Sequence, residues 1–539
     1  QSQYKRHIGA IRRLLSGKEL RRPLHEPFAN AFKGKDIADP FHAALSDTDP
    51  VFASNRDTYL RLAAQRAGFE QMLRLAQRAL AETAPEERPF AEDFVVYPAQ
   101  LMVDLSAARM EVMDAEDALR AGDSPAAAAH LHRAADALRD AVAAGKAYCH
   151  GKWADWYRGC EKVSPEAMLA LTEETLAAFP PICRVASAEE WTHAVRPRVV
   201  EFFDANVYGQ LPPKPAKLSF DFVDRGPAFG GAAERRQYVV RSADACGEHA
   251  FDVLVYLPAG KGAVPAFVYP NFSGNHSLVN DPAVRIFDGY PYAGKQRERG
   301  ARMDRAPVEE IVRNGFAFAT FCYGAIYPDY TPSTRDAAPD SVWKIFPKER
   351  RPQEILAHPS WSWGSMRVRD LLETLPEIDQ AKVAIAGQSR MGKNAIETGV
   401  HDARFALVCA NCGGTKSLKF LPNLRYPHWF SEKIKPYVSR DKLSQPLETL
   451  MAEAAKFPDP PFDQSAFVAC IAPRALVISS ATEDRTSPPA ASRMLFNEAN
   501  HVFNLFGKSI GWHVKAGKHS ITREDWRAFM AYARTDLKW

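Results

Sequence analysis

The residues best placed to do chemistry lie in VAIAGQSRMGKNAIE, Val383 to Glu397. An apolar run from Val383 to Ala386 stops at Gly387; Gln388, Ser389 and Arg390 follow, and a helix-forming segment begins after Gly392. A strand, a sharp turn carrying a serine and a helix make a nucleophile elbow, which lifts the hydroxyl above the sheet edge. A serine hydroxyl is a poor nucleophile at neutral pH, so it needs a base and a third group to orient that base. In the fold that uses this elbow, the chain order is Ser, then Asp or Glu, then His. The acid is expected in ALVISSATEDRTSPP, a strand running into a loop at Glu483 and Asp484. Asp484 is the choice, because it lies further beyond the strand and a short carboxylate suits a rigid loop; Glu483 is the alternative acid. The base is expected in GWHVKAGKHSITREDW, where His519 follows a Gly-Lys turn and precedes the last helix. His513 sits on a strand-like run and reads better as a packed strand histidine, with the base as its second reading. Ser389 departs from Gly-x-Ser-x-Gly, since Met occupies 391 and the glycine falls at 392. The three-part order therefore carries the reading. The tetrahedral intermediate needs donors; Arg390 offers its N–H and guanidinium, and the loop NFSGNHS (Asn271–Ser277) is placed to help.

Such a site needs a sheet to position it. From about residue 165, strand-like runs recur at Arg236–Val240, Phe251–Leu257, Ala263–Tyr269, Phe316–Phe321, Val383–Ala386, Phe405–Ala410 and Ala475–Ser479. Helical segments such as Val308–Asn314 and Ser365–Thr374 separate the later ones. This alternation predicts an α/β fold with a mainly parallel sheet and helices on both faces. The first two runs are close enough to form an antiparallel hairpin. Residues 1–160 read differently, as an all-α helical bundle. Tyr59–Leu80 has apolar residues at three- and four-residue spacing, and Leu101–Ala147 reads as two helices broken at AGDSP, with Asp123 or Ser124 as cap and Pro125 in the first turn. The division expected is 1–160 helical and 165–539 catalytic. Trp153, Trp156 and Tyr157 near the bundle's end could stack on sugars, but sealing the bundle is the simpler role.

Composition sets outer bounds. At 539 residues the chain is too long for one core. A net charge of +4 with both signs interspersed gives no nucleic-acid surface. No apolar run is long enough for a membrane span, and no signal peptide is visible. The chain opens on QSQYKR rather than Met, as a processed terminus or a piece of a longer protein would. Of eight cysteines only Cys409 and Cys412 form a CxxC; with no second pair or His cluster nearby, they read as core or near-site packing rather than zinc ligands.

These motifs together resemble the glucuronoyl esterases of carbohydrate esterase family 15, particularly the bacterial members, over residues 165–539. RPRVVEFFDANVYGQLP is similar to the family's opening segment, and NFSGNHS to its Asn-Phe-x-Gly-Asn-His loop. GQSRMGK is similar to its Gly-Cys/His-Ser-Arg-x-Gly-Lys elbow, DQSAFVACIAPRALVISSATED to the strand leading to the acid, and GWHVKAGKHSITREDW to the histidine loop. The resemblance implies an α/β-hydrolase fold and cleavage of the ester between a glucuronic acid on xylan and an alcohol on lignin. The partner is then a polysaccharide or oligosaccharide ester, without metal or other cofactor. It implies Ser389 as nucleophile, His519 as base and Arg390 as oxyanion contributor. Lys393 would hold a sugar hydroxyl; without the resemblance it reads as a helix-start lysine facing water. Trp429, in RYPHWF, matches an aromatic position lining the cleft. Two departures stand out. Many members carry a catalytic Glu one strand after the serine, where this chain has ANCGGTK with Cys412; the acid must then come from the later loop, at Asp484. Members also tend to have a tryptophan two residues after that Asp, where this chain has Thr486. The reaction type is unaffected, but the substrate opens to an acetyl or other acyl ester of a carbohydrate, or to a degenerate fold that only binds carbohydrate. YPAQLM and HGKW resemble helical accessory regions of large glycoside hydrolases, which implies part of a multidomain polysaccharide-degrading enzyme, secreted or periplasmic.

Overall fold

The computed structural model describes residues 51–120, 123–148, 165–177, 179–260, 262–287, 298–329, 341–413, 429–437 and 460–539. Trp153, Trp156 and Tyr157 lie outside the described residues. The chain divides into two compact units, Gln1–Arg184 and Val185–Trp539.

Unit 1 is helical where described: α1 (Val51–Glu82), α2 (Tyr97–Arg120), α3 (Ser124–Tyr148) and α4 (Pro165–Ala177). The break at AGDSP is real, and Asp123 is the cap: its Oδ1 accepts the Ala126 N–H at 3.0 Å. α3 buries Ala127, Leu131, Ala134, Leu138 and Ala141, one stripe at helical spacing. Its small residues let the backbone of a neighbour come close, and α2 packs there. Among the described residues, no helix is long and apolar enough to cross a membrane.

Among its described residues, unit 2 is built on one nine-stranded sheet in the order β1-β2-β3-β5-β4-β6-β7-β8-β9. The strands are β1 (Lys217–Ala228), β2 (Ala233–Asp244), β3 (Gly247–Pro258), β4 (Val264–Asn271), β5 (Ala317–Cys322), β6 (Ile378–Gln388), β7 (Leu407–Asn411), β8 (Ala475–Ala481) and β9 (Gly511–Lys515). β2 and β3 form the expected antiparallel hairpin, and from β5 across to β9 every pairing is parallel. β1 was not expected. It pairs with β2 at the sheet edge, and no residue before its last is buried, so its sequence carries charges where an interior strand would be apolar.

Helices cover both faces, as the alternation along the strands requires. Phe267, Tyr269, Phe318, Leu407 and Cys409 pack with Trp526, Phe529 and Met530 of α10 (Arg523–Thr535) and Ile311 of α6 (Val308–Arg313). The intervening positions face the other way. There a Cβ on Gly364 of α7 (Ala357–Glu373) would lie 3.0 Å from Phe321, and one on Gly399 of α8 (Arg390–His401) only 2.4 Å from Val408. These two helices therefore sit against the sheet with little to spare. α5 (Arg196–Asn206) precedes the sheet, and α9 (Pro489–Leu505) links β8 to β9. β4 lies between β5 and β6, so the chain reverses its direction of travel there. A crevice opens beyond the strand ends at such a point, and Ser389 follows β6 directly.

Candidate active site

The serine turn is strained. Ser389 has φ 59° and ψ −120°, a region that costs a non-glycine residue roughly 1–3 kcal/mol and persists only when its surroundings enforce it. Its N–H donates to Asn411 O at 2.8 Å, and the Lys393 N–H donates to Ser389 O at 3.0 Å. A Cβ on Gly387 would fall 2.0 Å from Met391 O, and one on Gly392 would fall 2.8 Å from Asn411 O and 2.9 Å from Gly413 Cα. This explains the displaced glycine. The backbone of β7's end crosses at position 392, so Met is tolerated at 391 and is fully buried.

Asp484 and His519 form a carboxylate–histidine pair on the loops past β8 and β9. Asp484 is the third residue after β8, and its side chain is buried while that of His519 is 26% exposed. His519 Nδ1 is 2.7 Å from Asp484 Oδ2. The other oxygen, Oδ1, accepts the N–H groups of Thr486 (2.8 Å) and Ser487 (2.9 Å). Burial pushes the Asp484 carboxyl up, but His519, the Ser487 N–H and the Cys412 thiol together hold it below its ordinary value. It is therefore ionised where a histidine needs a partner. Glu483 points elsewhere: it is exposed, and its N–H donates to Gly517 O at 2.8 Å. Thr486 is exposed too and enters the site through its backbone. His513, on β9, lies 3.6 Å from Glu524 rather than beside Asp484.

The loop that carries His519 is stapled from below. Asp525, fully buried, accepts from Lys515 Nζ at 2.8 Å and from the Thr522 N–H at 2.8 Å, so both ends of the loop meet one carboxylate. Its other oxygen accepts from Ser479 Oγ (2.6 Å) and Asn411 Nδ2 (3.0 Å). Asn411 thus connects the His519 loop to the Ser389 turn. Sequence reasoning passed over Asp525, although Thr-x-x-Asp before the last helix is a visible capping-box pattern.

The cations follow the serine on α8. Arg390 forms an ion pair with Asp329, and its guanidinium lies 4.3 Å from the Trp429 ring centroid and 6.0 Å from that of Phe272. Asp329 also accepts from Tyr323 OH at 2.6 Å and from Trp429 Nε1 at 3.0 Å. Burial, with Asp329's charge, raises the Tyr323 phenol well above its usual value, which keeps it a donor. Trp429 is 5% exposed; its indole is engaged as a lid on Arg390. Lys393, one turn into α8, is half-buried. Burial pulls its ammonium down to about 8, with Asp484 opposing and Arg390 assisting. Asp329 was missed because nothing in AIYPDY marks it except its place shortly after a central strand.

The NFSGNHS loop is organised around its own first side chain. Asn271 Oδ1 accepts the N–H groups of Ser273 (3.2 Å) and Gly274 (2.8 Å). Those two donors are spent inside the loop, and what the loop brings towards Arg390 is the Phe272 ring. Cys412, at φ 46°, is buried beside the acid. Its Sγ lies in a trio with Asp484 and His519 whose ligand atoms are all within 4.8 Å of one another. Burial and the Asp484 charge raise the thiol far above its ordinary value, so it is a neutral donor to the carboxylate rather than a ready thiolate ligand. A second trio, Glu111, Asp114 and His130, lies in unit 1, where Arg133 Nε already occupies Glu111 at 2.9 Å.

Residues 301–507 match a family model described as "Glucuronyl esterase, fungi". A curated relative, the carbohydrate esterase MZ0003 from an unknown prokaryotic organism, is 29% identical over 391 residues, covering 65% of this chain and 86% of its own. Among solved structures, a glucuronoyl esterase from Solibacter usitatus matches with TM-score 0.57 at 29% identity, over 65% of this chain and 94% of its own. A promiscuous esterase of the same family from a marine bacterial metagenome matches with TM-score 0.54 at 29% identity, over 65% of this chain and 93% of its own. Unit 2 is therefore an α/β-hydrolase of the carboxylic ester hydrolase class, similar over residues 301–507 to the glucuronyl esterases.

Proposed function

We propose that unit 2 hydrolyses esters of a uronic acid carried on a plant or algal polysaccharide, with Ser389 as nucleophile, His519 as base and Asp484 as acid. The observation that carries this reading is the 2.7 Å hydrogen bond between a buried Asp484 and a partly exposed His519, on strand-end loops of the sheet that ends β6 in the strained Ser389 turn. Ser389 Oγ attacks the ester carbonyl while His519 Nε2 takes its proton. Asp484 holds Nδ1–H and stabilises the imidazolium that forms. The oxyanion develops beside Arg390. His519 then protonates the departing alcohol, water adds to the acyl-enzyme by the same route, and the uronate leaves as a carboxylate. Lys393 is placed to meet a sugar hydroxyl one helical turn from the serine. Curated fungal relatives bear the name 4-O-methyl-glucuronoyl methylesterase, which supports the uronate as the acyl group.

A second reading keeps the serine chemistry on an acetyl ester of a carbohydrate. It is favoured by Thr486, a small exposed residue beside the triad acid where an aromatic would cover a sugar ring. Hydrolysis of methyl or benzyl glucuronate, measured beside acetylated xylan and 4-nitrophenyl acetate, separates the two. Activity that survives Ser389→Ala sinks the mechanism, and polysaccharide retention without any turnover indicates a binding fold. The helical unit reads as an accessory domain of a secreted or periplasmic, multidomain polysaccharide-degrading enzyme.

A further inference from the structure

Hydrolysis converts a neutral acyl group into a carboxylate at the same place. A guanidinium next to the serine suits the transient oxyanion, but left uncompensated it also binds the product acid in two-point fashion. The structure places a counter-charge there. Asp329 is buried (3% side-chain exposure) against an Arg390 side chain that is itself 8% exposed. It is fixed by donors from three separate stretches: Arg390 on α8, Tyr323 just past β5, and Trp429. With Trp429 stacked on its face, the guanidinium is held in place beside a buried carboxylate. Among the described residues, Arg390 stands against Asp329 and Lys393 against Asp484.

We infer that Asp329 is a positioning and charge-balancing residue that lets the acyl pocket accept the neutral ester and release the carboxylate product. This rests on the esterase reading above. A carboxylate entering the pocket meets a guanidinium already committed to Asp329 and the repulsion of that second carboxylate. The neutral ester meets only the oriented donors. An oxyanion, which exists only while bonded to Ser389, is held at the guanidinium edge without a lasting anion site being left behind.

The test compares wild type with Asp329→Asn, Asp329→Ser and Asp329→Glu. Each is checked for folding by thermal melting, then assayed for hydrolysis of methyl glucuronate and for inhibition by free glucuronate. In the two neutral variants, the inhibition constant of glucuronate falls at least tenfold while KM for the ester moves less than threefold. Asp329→Glu lowers kcat yet keeps the weak inhibition. A purely structural role lowers kcat in all three without that split and overturns the inference. Calorimetric binding of glucuronate and of acetate, which needs no turnover, reads the same difference. A wild type that ignores methyl glucuronate but hydrolyses 4-nitrophenyl acetate refutes the uronate reading alone, and acetate inhibition of the variants still decides the role of Asp329. If the neutral variants do not fold, Arg390→Gln decides instead. Left with an uncompensated Asp329, it binds carboxylates at least tenfold more weakly than wild type, and unchanged binding overturns the inference.

Discussion

The Asp484–His519 pair and the cations that follow Ser389 are built by opposite means. Asp484 and His519, the proposed acid–base side, come from loops whose ends are tied to buried polar groups, so placement depends on hydrogen bonds between loops. On the cation side, Arg390 and Lys393 come from the first turn of α8, which α7 and β7 hold by close packing, and only the guanidinium is steered, by Asp329 and Trp429. On the proposed mechanism, loops position the group that exchanges protons, and a packed helix positions the charges that stay still. A hydrogen-bonded loop loses its geometry when one partner goes. A helix start keeps its geometry and loses only the field.

Four measurements break or sharpen this contrast. The largest effect is expected for Asp484→Asn, which presents the wrong partner to Nδ1 and should lower kcat by about 10^3–10^4-fold with thermal stability nearly intact. Glu483→Gln should stay within about twofold, as for an exposed residue outside the site. Equal losses would mean that the acid–base side is not organised as described. Next, Asp525→Ala strands a buried Lys515 and frees both ends of the His519 loop. Breaking a buried pair from one side costs about 3–5 kcal/mol, readable by urea denaturation, and kcat should fall with it. On the cation side, Arg390→Gln should cost about 10^2-fold in kcat, the scale of one lost oxyanion donor, and, because it strands the buried Asp329, about 3–5 kcal/mol of stability as well. A stability loss with kcat unchanged would erase the contrast.

The smallest effect concerns pH. Burial has lowered the Lys393 ammonium to about 8. The folded protein therefore carries a disfavoured charge below pH 8, and this cost to stability eases as pH rises from about 8 towards the free value of 10.5. If the ammonium holds a substrate hydroxyl, KM should rise several-fold as pH passes about 8, because the charge is lost. Lys393→Met should show a raised KM with no such rise. Asp484 behaves oppositely: its carboxyl is held below its ordinary value, so its contribution to stability is present above the ordinary aspartate range and is lost only as pH falls through its lowered value.

Much of this could be read along the chain. The parallel core was visible because buried strands such as Phe405–Ala410 and Ala475–Ser479 are short apolar runs between helical segments. The pairing of Asp484 with His519 was legible because this sheet puts its loops at strand ends in a fixed order. β1 was not legible, because an edge strand with no buried residue before its last carries no hydrophobic pattern. The family resemblance put Trp429 at the cleft lining, and its burial against Arg390 could not be inferred from RYPHWF.

By itself, the sequence determined the strand, turn and helix around Ser389 and the alternation that builds the parallel sheet, because strand periodicity and turn chemistry are local and repeat every few residues. The tertiary structure alone decided which charges face one another. Asp329 reaches Arg390 across 61 positions and Trp429 across 100, and Asp525 reaches Asn411 across 114. No local pattern encodes such pairs. Only the folded sheet brings them within hydrogen-bonding range, and burial then makes their balance matter.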